Sequence, residues 1–262
     1  MLAPRVVWTG IGNGRGREPW SGKRQNDLLT HGIYVDINGT CQRPQAVVRL
    51  AKSIRTTDMK LYGTPPTRAI RVLWVLNELG VECEVIGLNP LAPSPELLAL
   101  NPAGKLPVLV DGDVVLTESA AIPIYLAEKY PEKGLIPSNL GDRAQMYRWI
   151  FFLVTEIEQP LWWIALNTTI YPEDDRVPAD IANATRDCKK MVAVFEKHMT
   201  NREFVAGDRF SVADCIAAFT LDWANEGHML GDAPQLKAFL KKMYARPTAP
   251  MTIKEGFAAI PR

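Results

Sequence analysis

The chain reads as an α/β unit followed by an all-helical domain, and three observations lead there. Strand-length apolar runs alternate with a helical pattern between residues 59 and 130. Residues 101–121 (N-P-A-G-K-L-P-V-L-V-D-G-D-V-V-L-T-E-S-A-A) hold two such runs about an Asp-Gly pair, the signature of a tight hairpin. Beyond residue 142, helix-length patterns succeed one another with no strand pattern of comparable strength between them.

Residues 1–58 carry Gly10, Gly12, Gly14 and Gly16, scattered basic residues and no sustained apolar period. Glycine at every second position costs too much backbone entropy to be fixed without a core, so a poorly ordered extension is expected. A phosphate-cradling loop would need a strand before it and a helix after it, whereas Glu18-Pro19-Trp20 follows. Asp27 and Asp36 spoil the acid-poor pattern of a targeting peptide. Met59 opens the first strong pattern, so the preceding residues read as an upstream-start or leader segment.

From Met59 the elements follow in order. Met59-Lys60-Leu61-Tyr62 is a short strand, Gly63-Thr64-Pro65-Pro66 breaks it, and residues 67–79 form a helix closed by Gly80. Ile70, Leu73, Trp74 and Asn77 share one face of that helix. Residues 81–88 supply a second strand, reached by a right-handed crossover, and a short helix begins at Pro93-Ser94-Pro95. Pro107 takes the first place in the third strand, where a missing N–H is harmless. A cis Leu106–Pro107 bond would turn the Leu106 backbone outward as an exposed hydrogen-bonding edge. After the hairpin, residues 120–129 close the unit and 131–141 read as a linker.

Helices are then expected over residues 142–170, 177–200, 211–226 and 234–244. Ser211 and Asp214 make a capping box, with Phe210 and Cys215 as its hydrophobic staple, so Asp214 is read as a structural cap.

A length of 262 residues with 47% apolar content suits one large domain or two ordinary ones. Net charge of +1 argues against a nucleic-acid surface. Residues 1–58 hold nine Lys and Arg against four Asp and Glu, which leaves 21 against 25 in the rest. The four cysteines lie far apart and form no C-x-x-C pair, so neither a metal site nor a dithiol motif is indicated. Such cysteine usage fits a reducing cytoplasm, and no run of about 18 apolar residues predicts a membrane span.

The Asn-Pro-x-Gly-Lys-x-Pro turn, the Asp-Gly hairpin and the Glu-Ser-x-Ala-Ile helix start stand in register. Together they resemble the second half of the thioredoxin-like domain of cytosolic glutathione transferases of bacterial type, and the resemblance runs from Met59 to about Arg246. It implies a thioredoxin-like domain over residues 59–130 and an all-helical domain over 142–262. It further implies glutathione as co-substrate, no metal, a homodimer, and detoxifying attack on a small apolar electrophile.

The resemblance also assigns residues. Glu118 and Ser119 match the pair that holds the γ-glutamyl end, Leu106 matches the residue whose backbone meets the cysteinyl part before cis-Pro107, and Lys105 faces the glycyl carboxylate. Glu118 has the alternative of an acid at a helix start, and Lys105 that of a solvated lysine. Catalysis would consist of lowering the thiol pKa with a hydroxyl or amide donor just after the first strand. Thr67 is placed like the serine of some microbial members and also suits a helix N-cap, with Thr64 as runner-up. Tyr62 is read as a strand residue. Arg68 and Arg71 sit where the helix dipole disfavours cations, one facing the cleft or both at the surface. Trp162, Trp163 and Tyr147, with Tyr171, are candidates to wall a second-substrate pocket, though such a stripe also suits a core. A disulfide or peroxide reductase and a noncatalytic interaction module are the alternatives.

Overall fold

The structure, a computed structural model, describes the backbone of Trp8–Thr9 and all of residues 58–259. Five strands form one mixed sheet, ordered β1-β3-β2-β4-β5: β1 (Trp8–Thr9), β2 (Met59–Tyr62), β3 (Glu84–Ile86), β4 (Val108–Asp111) and β5 (Val114–Leu116). Strand β3 runs parallel to β1 and β2, while the β2–β4 and β4–β5 pairs are antiparallel. Two residues of the extension expected to lack order thus pair as an edge strand. The rest of that expectation lies outside the described residues.

A parallel pair needs a crossover, and helix α1 (Ala69–Leu79) supplies it between β2 and β3. Gly80 ends α1 in the left-handed region at φ 66°, where its N–H reaches back to Asn77. Burial of α1 exceeds the single face expected: Ile70, Val72, Trp74 and Val75 are buried on all sides, and so is Arg71. The helix is sandwiched, with Leu61 and Leu109 of the sheet and Ile216 and Leu221 of the helical domain in one shared core.

Helix α2 (Pro95–Leu100) is capped by Ser94, whose side chain accepts from the Leu97 N–H at 3.2 Å. The hairpin turn proper is Gly112-Asp113, one residue later than the Asp-Gly pair suggests, because Asp111 is still paired with Val114. Gly112 provides the positive φ of 58°. The Asp111 carboxylate is freed to accept from Tyr125 Oη at 2.7 Å and to pair with Lys129, both on α3 (Ala121–Lys129).

The long helix expected over 142–170 is one path broken by two π turns: Leu153–Ile157 separates α4 (Leu140–Phe152) from α5 (Glu158–Ala165), and Leu166–Ile170 follows α5. Pro160 explains the first: it has no N–H for the Glu156 carbonyl and its ring collides with it, so the ladder widens. In the second, the side chains of Asn167, Thr168 and Thr169 bond the carbonyls of Trp163, Ile164 and Ala165.

Helices α6 (Pro178–Met199), α7 (Val212–Glu226) and α8 (Pro234–Tyr244) lie where expected. At the start of α7 the Asp214 carboxylate accepts from the Ser211 N–H and the Val205 N–H, each at 2.8 Å, which is the work of a cap. A further helix, α9 (Ile253–Ala258), was not expected, although Thr252 and Glu255 form a second capping box. Among the described residues no helix is long and apolar enough to cross a membrane.

Candidate active site

Three segments converge where β2 ends. Gly63 packs so closely that a Cβ there would lie 2.5 Å from the Ala69 Cβ and 3.6 Å from the Pro107 Cβ. Only glycine lets the β2–α1 loop, the first turn of α1 and the Leu106–Pro107 turn meet. The Leu106–Pro107 bond is cis, as expected, and so is Pro65–Pro66. The turn before Leu106 is held by Asn101, which donates through Nδ2 to the Lys105 carbonyl at 2.8 Å and accepts from the Ala103 N–H. Lys105 itself is exposed. Tyr62 donates its phenol proton to Glu96 at 3.0 Å, which ties β2 to α2 as a strand residue would.

The two threonines of the loop differ. Thr64 Oγ1 donates to the Leu88 carbonyl at 3.1 Å and accepts from the Leu88 N–H at 3.0 Å, so its single proton is spent on lacing the loop to the segment after β3. Thr67 Oγ1 only accepts, from the Ala69 N–H at 3.3 Å, and no acceptor among the described residues takes its proton.

Across the cleft, Glu118 is exposed and adopts φ 70°, a left-handed conformation rare for a residue with a Cβ. Such an outlier costs free energy and points toward function. Ser119 beside it is buried and accepts from Arg71 Nη1 at 2.8 Å.

Arg71 is the departure from the sequence reading: it is not at the surface but wholly enclosed. Its Nη2 donates to Thr220 Oγ1 at 3.1 Å and pairs with Glu158, whose other oxygen takes Arg68 Nε at 2.5 Å. Thr220 in turn donates to Glu158 at 3.0 Å. Arg68 lies against the rings of both Trp162 and Trp223, 5.0 and 5.2 Å from their centroids, and Arg71 is 4.8 Å from that of Phe219. Burial pulls the Arg68 guanidinium below its ordinary value, and the nearby Glu118 carboxylate opposes that pull.

The aromatic residues proposed for a second pocket do not come together. Trp162 faces Arg68, next to Thr67. Trp163, about 100° further round the helix, lines an outer groove with Gln159, Asp187 and Met191 of α5 and α6. Tyr147 donates to Glu128 of α3 at 3.1 Å, and Tyr171 offers its carbonyl to Arg176. Glu158, Thr220 and Trp223 escaped the sequence reading. The signal for Thr220 was a polar residue amid apolar neighbours, Phe219-Thr220-Leu221, whereas Glu158, between Ile157 and Gln159, carries no such signal.

Known proteins resemble the chain across both parts. Residues 57–128 match the family model for the glutathione S-transferase N-terminal domain, and residues 160–247 match that for the C-terminal domain. Glutathione S-transferase 3 of Zea mays is 31% identical over 215 residues, which are 78% of this chain and 95% of that protein. The chain belongs to the glutathione S-transferase family. With the family comes the enzyme class, a glutathione S-transferase, and the fold of a thioredoxin-like domain followed by a helical one. Glutathione S-transferase GST-4.5 of Xanthomonas campestris is 32% identical over 191 residues, 71% of this chain and 93% of that one. Among solved structures, a theta-class glutathione S-transferase of Xanthomonas axonopodis with glutathione bound has a TM-score of 0.66 at 25% identity. That match covers 75% of this chain and 99% of the other. An apo glutathione S-transferase III gives 0.63 at 31% identity, covering 78% and 97%.

Proposed function

We propose that this glutathione S-transferase binds glutathione between the β2–α1 loop and the start of α3 and stabilises its thiolate with the Thr67 hydroxyl. The uncommitted proton of Thr67 carries this reading: the Thr64 proton is spent on Leu88, whereas that of Thr67 remains to be donated. In this reading the thiol is the ligand's. Among the described residues, burial pushes Cys83 up to about 12, Cys188 up to about 11 and Cys215 well above its ordinary value. None of the three supplies a thiolate at neutral pH.

In this reading Glu118 accepts from the γ-glutamyl ammonium, and Ser119 with the N–H groups opening α3 takes the adjacent carboxylate. The Leu106 backbone pairs with the cysteinyl unit, and Lys105, exposed at the rim, meets the glycyl carboxylate. The electrophile, a small apolar molecule, enters beside Trp162 and Arg68. The enzyme works as a cytoplasmic homodimer, and detoxification is its role. Calorimetric titration with glutathione in two buffers of different ionisation enthalpy tests the core of this reading. Binding with proton release, lost in Glu118→Ala, is the expected result. Binding without proton release, followed by turnover of a disulfide, would replace the transferase reading with a reductase.

A further inference from the structure

The two family domains supply four of the five described strands, and the fifth, β1, lies upstream of both. It pairs in parallel with β3, Trp8 against Val85 and Thr9 against Ile86, and falls in one compact unit with residues 57–262. Among the described residues only β1 covers the outer side of β3. Without it β3 would be an open edge, a row of unpaired N–H and C=O groups. Two paired residues near a chain terminus hold only weakly, so β1 has two accessible states, docked and released.

Strand β3 in turn carries the loop that bears Thr67. The Ile86 carbonyl, on the residue opposite Thr9, accepts from the Gly63 N–H at 2.9 Å. Leu88, two residues on, both donates to and accepts from Thr64 Oγ1, and the Thr64 carbonyl accepts from the Thr67 N–H at 2.8 Å. The attachment has no slack, because a Cβ on Gly63 would lie 2.5 Å from that of Ala69.

We propose that β1 is an intramolecular docking strand that regulates the glutathione site. Paired with β3 it steadies the β2–α1 loop and holds the Thr67 hydroxyl in place; released, it lets both move. This rests on the reading of Thr67 and glutathione above, and adds a control exerted through β3 from the side opposite β2. Docked and released β1 are the two arrangements that such coupling requires. Linkage makes it reciprocal: glutathione, by favouring the steadied loop, favours the docked strand by the same factor.

Amide hydrogen exchange and calorimetric titration with glutathione, both on the full chain, test the proposal. Successive N–H groups of a strand point to opposite sides, so Trp8→Pro combined with Thr9→Pro removes an N–H that faces β3 whichever of the two does so. Exchange at residues 84–88 and 63–67 should quicken and glutathione affinity should fall, each roughly fivefold, at the low end of ordinary coupling. Deleting residues 1–10 should do the same. Thr9→Val, which keeps the N–H groups and suits a strand, should match wild type. In wild type, saturating glutathione should slow exchange at Trp8 and Thr9 by a similar factor. Unchanged exchange at 84–88 in the proline and deletion variants would mean that β1 does not seal β3. Faster exchange there with wild-type affinity would mean that it seals the edge without governing the site, and either result overturns the proposal. So would protection at 84–88 that rises with protein concentration, which assigns the docked strand to a second copy. A wild type that binds no glutathione defeats the reading of the cleft instead, and exchange at 63–67 still reports whether β1 steadies the loop.

Discussion

Arg246 and Glu78 form a two-pronged ion pair between the segment after α8 and the last turn of α1, with Nε donating to Oε1 at 2.7 Å and Nη2 to Oε2 at 2.8 Å. Thr248 Oγ1 adds a third donor at 2.5 Å, and Trp74 Nε1 a fourth at 3.3 Å. The α/β unit and the helical domain are thereby joined by a charge-assisted contact far from the cleft.

That contact predicts an acid dependence. Burial would raise the Glu78 carboxyl, but the donors from Arg246 and Thr248 outweigh it and hold the group below its ordinary 4.5. A depressed carboxyl contributes stability above its unfolded value, and the contribution is lost as pH falls through the folded one. Glu78→Gln should therefore cost about 1–3 kcal/mol at pH 7, with the gap in unfolding midpoint closing as pH drops below about 4. A gap that stays constant from pH 7 to pH 3 would contradict the assignment.

The two loop threonines should separate chemistry from architecture. Thr67→Val should raise the pKa of bound glutathione by about one unit, read from thiolate absorbance, and lower turnover roughly tenfold at neutral pH. Thr67→Ser should retain most of both. Thr64→Val should instead lower stability by about 1–2 kcal/mol, because the Leu88 N–H and carbonyl lose their partner. The thiol pKa with Thr67 in place should hardly change. If Thr64→Val moves that pKa and Thr67→Val does not, the donor has been misassigned.

Glu158 should behave as a buried counter-ion. Glu158→Gln leaves Arg68 and Arg71 without their common carboxylate, and about 3–5 kcal/mol of stability should go with it, read from urea unfolding. Combining it with Arg71→Met should restore part of the loss, since one fewer cation remains uncompensated. A double variant less stable than Glu158→Gln alone would refute this account.

The elements that the sequence made legible are those specified by near neighbours. Gly80 closes α1, Ser94 caps α2, Ser211 and Asp214 open α7, and each acts within four residues of itself. The hairpin was legible too, displaced by one residue because Asp111 serves the strand and α3 at once. The edge strand Trp8–Thr9 has too few residues to show a period, and α9 was overlooked although its capping box was there to be read.

At the site, Leu106, Pro107, Glu118 and Ser119 were named from a local motif, whereas the network behind them was not. Arg71 finds Ser119 at a separation of 48 residues and Thr220 at 149, and no local pattern encodes such distances. The adjacent tryptophans, which the resemblance offers as one wall, point in different directions for a related reason, since neighbours on a helix lie about 100° apart.

Glu158 has a consequence for how the molecule can be divided. Two family domains suggest two separable pieces, yet α1 would carry Arg68, Arg71 and its apolar flank into water if residues 59–130 were expressed alone. The helical part, cut free, would leave the Glu158 carboxylate without the two cations that α1 sets against it. What looks like a pair of modules is, energetically, one indivisible body whose seam is among its most specified regions.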